Sequence, residues 1–182
     1  MLALVTDATE YPISRTEMKL HLRIDHTEED ALIDGLIAAA TYYCQKRTTR
    51  QFVTATWKDV RDKFPSVFHL RMCPAASVTS IAYTDTDGAA QTVAASDYQT
   101  DFVSEPARVM PAYGESWPST RGDTFNAVVL TFTAGYGAAT AVPQGIKDAI
   151  KHHAAMNYRD REAVDLDLID AMLIPFQWGT YR

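Results

Sequence analysis

The stretch FTAGYGAATAVPQGIKDAI, residues 132–150, runs from an apolar alternating segment through two glycines into a segment of helical period. A strand, a glycine loop and a helix in that order would be a nucleotide site if the glycines cradled phosphate. Spacing excludes this. Gly135 and Gly137 match the start of the dinucleotide fingerprint, but Thr140 stands where its third small residue belongs. A P-loop needs Gly-Lys-Ser/Thr at the helix start, whereas Lys147 lies between Ile146 and Asp148. The glycines are therefore predicted to turn the chain out of a strand, and Val142-Pro143 to set the start of a helix. The stretch reads as a corner where a β-rich segment returns the chain to a helical one.

Upstream of that corner the sequence is helical first and strand-rich second. ISRTEMKLHLRID places Glu17 three residues after Ser14, a capping box ahead of a short helix with Met18 and Leu22 on one face. HTEEDALIDGLIAAATYYCQKR predicts a second capping pair, Thr27 and Asp30, with Glu28 and Glu29 suited to a helix N-terminus. Ile33, Leu36, Ile37, Ala40 and Cys44 then recur at helical spacing up to Lys46 and Arg47. From Gln51 the segments QFVTATWKDV, VFHLRM, SVTSIAYTD, DYQTDFV, ARVMPA and NAVVLTFTA read as strands of a small antiparallel sheet or barrel. Asp87-Gly88 marks a hairpin, and AYGESWPSTRGD (112–123) an exposed irregular loop. After Pro143, Ile146, Ile150, His153 or Ala154, and Tyr158 form a helical stripe; DLDLIDAMLIPF is a shorter helix ended by Pro175. The predicted class is α+β: a helical-bundle core of two N-terminal and two C-terminal helices, residues 14–50 and 143–175, around an antiparallel β-rich insertion, 51–137, with a C-terminal tail, 176–182.

Length allows one domain, 1–182, with a substantial insertion. No apolar run approaches the roughly 18–20 residues of a spanning helix, so no membrane segment is expected. MLALVTDATEYP lacks the basic start and apolar length of a signal peptide; the chain is expected to be cytosolic where it is made. The net charge of −6 argues against tight binding to a phosphate backbone. Cys44 and Cys73 stand alone in sequence, which predicts buried thiols and neither a zinc ribbon nor a disulfide framework.

Each candidate for chemistry has a plainer explanation. His152 and His153, adjacent on a helix, point about 100° apart and cannot share a metal as an i, i+4 pair would; one is expected in solvent and the other packed. Asp85, Asp87 and Gly88 lack the distal Glu of a calcium loop. Asp165, Asp167 and Asp170 suit capping and the positive helix start better than a carboxylate cluster. Ser116 and Ser119 have no nucleophile elbow. No cofactor, metal or catalysis is expected. The alternative is a small nucleotide-binding or hydrolytic enzyme using the Gly135–Gly137 turn and the Asp165–Asp170 acids; a ligand-binding β module has no pointer beyond the insertion. Phe176, Trp178 and Tyr181, with Ile174 and Arg182, concentrate large apolar and hot-spot residue types at one end. This tail packs on its own core or docks into a partner.

In family order, the pieces KLHLRIDHTEEDALIDGLIAAA, TWKD followed by FP, SVTSIAYTDTDGAAQT with DYQTD, NAVVLTFTAGYG, VPQGIKDAI, YRDRE and LIPFQWGTYR span nearly the whole chain. Together they resemble the head-to-tail connector (adaptor) proteins of tailed bacteriophages, also found in prophages and gene transfer agents. The chain departs from that pattern at Cys44-Gln45 and Thr48-Thr49-Arg50, where an acid and a Thr-Gly-Arg are common. The resemblance implies a structural virion protein of the neck, made in the bacterial host cytoplasm. It implies a ring, expected to be twelve-fold, under the portal protein that extends the DNA channel and receives stopper, head-completion or tail-terminator proteins. DNA would pass through without sequence-specific binding. Within that reading Leu173, Ile174, Pro175, Phe176, Gln177, Trp178, Tyr181 and Arg182 are the portal-docking tail. Ile33, Ile37, Tyr43, Ile146, Ile150, His153 and Tyr158 are the expected subunit interface, and Glu28, Glu29, Glu115 and Trp117 the expected lumen or loop residues.

Overall fold

The computed structural model describes residues 1–160 and 165–177. The class is mixed α+β, and the chain divides into two compact units, one from Met1–Asp7 and Thr54–Gly135 and the other from Ala8–Val53 and Tyr136–Arg182.

The first unit holds eight strands: β1 (Leu2–Thr6), β2 (Ala55–Arg61), β3 (Phe68–Leu70), β4 (Ala75–Thr84), β5 (Ala90–Thr92), β6 (Tyr98–Asp101), β7 (Ala107–Pro111) and β8 (Val128–Ala134). They form two antiparallel sheets, ordered β1-β2-β8-β4-β5 and β3-β7-β6. The centre of the larger sheet is β8, because its alternation sends Val128, Leu130, Phe132 and Ala134 to one buried face. Withdrawing each of the larger of these side chains from water contributes about 1.5–3 kcal/mol. Phe68, Leu70, Ile81, Val93 and Val109 complete that core. Each of the six segments read as strands overlaps one. The LALVT strand at β1 went unread: it pairs with β2 from Leu2↔Asp59 to Thr6↔Thr56 across a register shift. The predicted hairpin joins β4 to β5. Gly88 has φ +87°, and Asp85 accepts from the Asp87 and Ala89 amides at 3.0 and 2.9 Å.

The second unit holds α1 (Arg15–Leu22), α2 (Asp30–Thr48), α3 (Gln144–Arg159) and α4 (Leu166–Leu173), with 3-10 turns at Ala139–Ala141 and Ile174–Phe176. Ser14 caps α1 as read: its hydroxyl accepts from the Glu17 amide at 3.1 Å, and its own amide donates to the Glu17 carboxylate at 2.7 Å. The second capping pair does not form. Glu29 is the cap residue of α2 without a side-chain bond, because the Asp30 carboxylate is held instead by Lys19 (2.8 Å) and Arg15 (2.9 Å), tying α2 to α1. At its other end α2 closes on Thr49 at φ 56°, ψ 35°, a left-handed position that glycine would normally fill. The departure in the Thr48-Thr49-Arg50 triplet thus keeps the turn and carries its strain on a β-branched residue.

Gly135 and Gly137 take φ 132° and 123°, and they stand where the first unit gives way to the second. The Gly135 amide donates to the Pro74 carbonyl (2.8 Å) and the Tyr136 amide to that of Phe52 (2.9 Å). Both thiols are buried as expected, and burial pushes Cys44 up to about 12. Among the described residues no helix is long and apolar enough to cross a membrane.

Candidate functional site

The stripes expected to meet neighbouring subunits are largely consumed inside the chain. Ile33, Ile37, Ile146 and Ile150 are fully or almost fully buried in the helical core with Met18, Ala40, Ala154 and Leu173. This corrects the interface reading for those four: a wide apolar stripe on a helix is explained by the three helices of its own unit. His153 is also buried, its ring stacked on Tyr43 (centroids 4.9 Å, 28° apart), and burial lowers its pKa. His152 is exposed, edge-on to His21 at 5.8 Å, so the two histidines part company as read.

Tyr43 is half-buried and serves as a cross-tie. Its hydroxyl donates to Asp170 at 2.8 Å, and Arg47 holds the other Asp170 oxygen at 2.7 Å, joining α2 to α4. Burial, then this carboxylate, pushes the Tyr43 pKa up to about 12. The Asp165, Asp167 and Asp170 trio therefore divides. Asp165 caps α4 through the Leu168 amide (3.1 Å) as expected, while Asp170 belongs to the cross-tie and not to capping. Tyr158 donates to Glu29, itself 3.7 Å from His26, and Glu28 stands exposed 3.0 Å from the same imidazole.

The tail residues also separate. Leu173 is buried in the core, a correction to its docking role; Ile174 and Pro175 are exposed. Phe176 is anchored on its own unit. The Arg50 guanidinium donates to its carbonyl at 2.5 Å, and its ring occupies the space a side chain at Gly145 would take, 2.9 Å from that position's ideal Cβ. Gln177 closes the last turn through its amide and the Ile174 carbonyl (3.2 Å). Trp178, Tyr181 and Arg182 lie outside the described residues.

In the strand unit, Glu115 is exposed in the long loop, but Trp117 is that loop's anchor. It stacks on Phe64 (5.0 Å, 12°) and meets Phe68 edge-on (5.6 Å, 85°). Its indole Nε1 is buried with no hydrogen-bond partner among the described residues. The loop's far end is fixed over the hairpin, where the Arg121 amide donates to the Thr84 carbonyl (3.2 Å) and its guanidinium pairs with Asp123 (2.7 Å).

Among the described residues, the exposed parts of these candidates are Ile174 and Pro175 after α4, Glu28, and the loop around Glu115. Among the described residues no group of three or more His, Cys, Asp or Glu side chains could hold a metal ion. The family described as "Phage gp6-like head-tail connector protein" matches residues 14–106, from the capping box of α1 to just before β7. The chain belongs to that family.

Among solved structures, this fold is similar to a chain of "Neck of empty GTA particle computed with C6 symmetry", with TM-score 0.79 and 22% identity over 97% of this chain and 95% of that one. It is similar to a chain of "Virion of native gene transfer agent (GTA) particle", with TM-score 0.79 and 23% identity over the full length of both. A chain of "Neck of native GTA particle computed with C12 symmetry" gives TM-score 0.78 and 22% identity over 97% and 94%. These likenesses establish a shared fold. No curated protein matches.

Proposed function

We propose that the chain is a structural protein of the virion neck that forms a ring beneath the portal, extends the DNA channel and presents the surface on which stopper or tail-completion proteins assemble. Membership of the head-tail connector family carries this reading. Similarity to chains of gene transfer agent necks, one described with twelve-fold symmetry, supports a ring of that order. In this reading 1–182 works as one connector module: helical core (14–50 and 143–175), β-rich insertion (51–137) and docking tail (176–182). Phe176, held by Arg50 and Gly145, is the root of that tail; Gln177 to Arg182 reach the portal, with exposed Pro175 beside them. The charge of −6 suits a channel through which DNA slides without its phosphates being held. Glu28, Glu29 and Glu115 are the candidate lumen acids, and the protein's work is assembly without catalysis.

Two measurements test this. Negative-stain imaging with and without portal should show rings when the portal is present; a chain that stays monomeric beside the portal at high concentration refutes the reading. Removal of Gln177 to Arg182 should preserve the fold and abolish joining, leaving filled heads and free tails. A normal particle yield from the truncated chain would overturn the docking role.

A further inference from the structure

The outward side of α2 is unlike a solvated helix face. Ala31, Leu32, Gly35, Ala39 and Tyr42, three and four residues apart, are all exposed, Leu32 by 42% and Tyr42 by 63%. No charge interrupts this row until Lys46, whose ammonium lies 5.2 Å over the Tyr42 ring and has no carboxylate partner among the described residues. A side chain at Gly35 would meet nothing within 4 Å, so the chain's own packing gives no reason for the poorest helix former after proline in mid-helix. Depletion of charge around an exposed tyrosine is the composition of an interface centre.

A ring built from one chain needs two different faces on each copy, one answering the other. The same unit supplies a second apolar face on α4 and the turn that follows: Leu168 (47% exposed), Ala171 and Ile174 (50%), led by the exposed carboxylate of Asp167, which also has no partner among the described residues. The two faces match in register. Lys46, Tyr42 and Ala39 step back along α2 by four and three residues; Asp167, Ala171 and Ile174 step forward by four and three. At the common helical rise, an antiparallel pairing sets Lys46 against Asp167, Tyr42 over the small Ala171, and Ile174 against Ala39.

We infer that the outward face of α2 is covered by the α4 face of a second copy of this chain, with Lys46 and Asp167 as the charge pair that sets register. This rests on the ring reading and gives it a residue-level contact. The row was legible in part, since GLIAAATY is small and uncharged; the burial of Ile33 and Ile37 on the other side is what makes it an outward face.

The test uses the full chain assembled with portal. With Ala39→Cys and Ile174→Cys in one chain, oxidation should give a covalent ladder of ring multiples; Cys44 and Cys73 are buried and supply the unlinked control. Lys46→Glu alone should reduce ring formation by about tenfold or more, and Lys46→Glu with Asp167→Lys should restore it, with unchanged thermal melts of the free chain. Rings that form normally but neither cross-link nor respond to the charge swap overturn this pairing and leave the ring standing. Cross-linked dimers from Ala39→Cys alone overturn it in favour of a symmetric α2 pair. Absence of any ring for the native chain overturns the parent reading, and this one with it.

Discussion

Replacing Trp117 separates an anchor from a residue that faces a channel. Trp117→Ala removes the stack on Phe64 and the edge contact with Phe68. Each aromatic pair contributes about 0.5–1.5 kcal/mol beyond area burial, so the two give about 1–3 kcal/mol. The side chain is only partly buried, so its area adds about 1–2 kcal/mol, short of a fully buried ring. Removing the unpaired indole N–H returns about 1–3 kcal/mol of this, so the expected net loss is about 1–2 kcal/mol, a shift of about 0.5–1 M in the urea midpoint. Trp117→Phe should behave differently. It keeps a ring between Phe64 and Phe68 and deletes an indole N–H that has no acceptor among the described residues, and an unpaired buried donor costs about 1–3 kcal/mol to retain. Relief of that cost offsets the smaller ring, and the variant should lie within about 1 kcal/mol of the native chain. Urea unfolding followed by circular dichroism measures both, and trypsin sensitivity at Arg121 reports whether the loop has come loose. If the phenylalanine variant loses as much as the alanine one, the indole N–H has a partner and this account of the loop is wrong.

Two further predictions concern the helical unit. Thr49→Gly should stabilise the chain by about 0.5–1 kcal/mol, because relief of a left-handed β-branched residue, about 1–2 kcal/mol, exceeds the entropy glycine loses; a melting temperature that falls instead of rising a few degrees would contradict it. For His153, burial lowers the folded-state pKa, so on acidification the unfolded chain takes up the proton first. Its contribution is fully present above the ordinary 6.5 and is lost as pH falls below it, with His21 shifted in the same direction. Melting temperature should therefore drop between about pH 7.5 and 5.5, and His153→Phe, which keeps a ring against Tyr43, should flatten the drop. Equal slopes in the two proteins would assign the acid sensitivity elsewhere.

Much of the fold could be read because its signals are local. The Ser14 capping box, the hairpin at Gly88 and the positive-φ glycines at the corner are each determined by residues within a few positions. The strands of the insertion announced themselves by alternation. β1 did not, since its five residues gain strand character only by pairing with β2, which lies some fifty residues on. The Thr27 and Asp30 pair failed as a cap for a similar reason: Lys19 and Arg15 on a neighbouring helix offered the Asp30 carboxylate a stronger, charged partner.

The candidate surfaces divide the same way. Sequence periodicity identified Ile33, Ile37, Ile146 and Ile150 as apolar stripes, but a stripe looks the same whether its own chain or a neighbour covers it. The helices α1 to α4 closing on one another buried those residues and left Leu32, Gly35 and Tyr42 outward. Trp117 and Phe176 likewise read as exposed or docking residues until Phe64 and Phe68, and Gly145 and Arg50, came within reach from distant parts of the chain. The sequence by itself determined the element types, the corner at Gly135 and Gly137 and, through the ordered run of motifs, the family. Only the tertiary structure decided which side of each helix is spent on the core, because burial is a property of contacts between segments and no single segment encodes its partner.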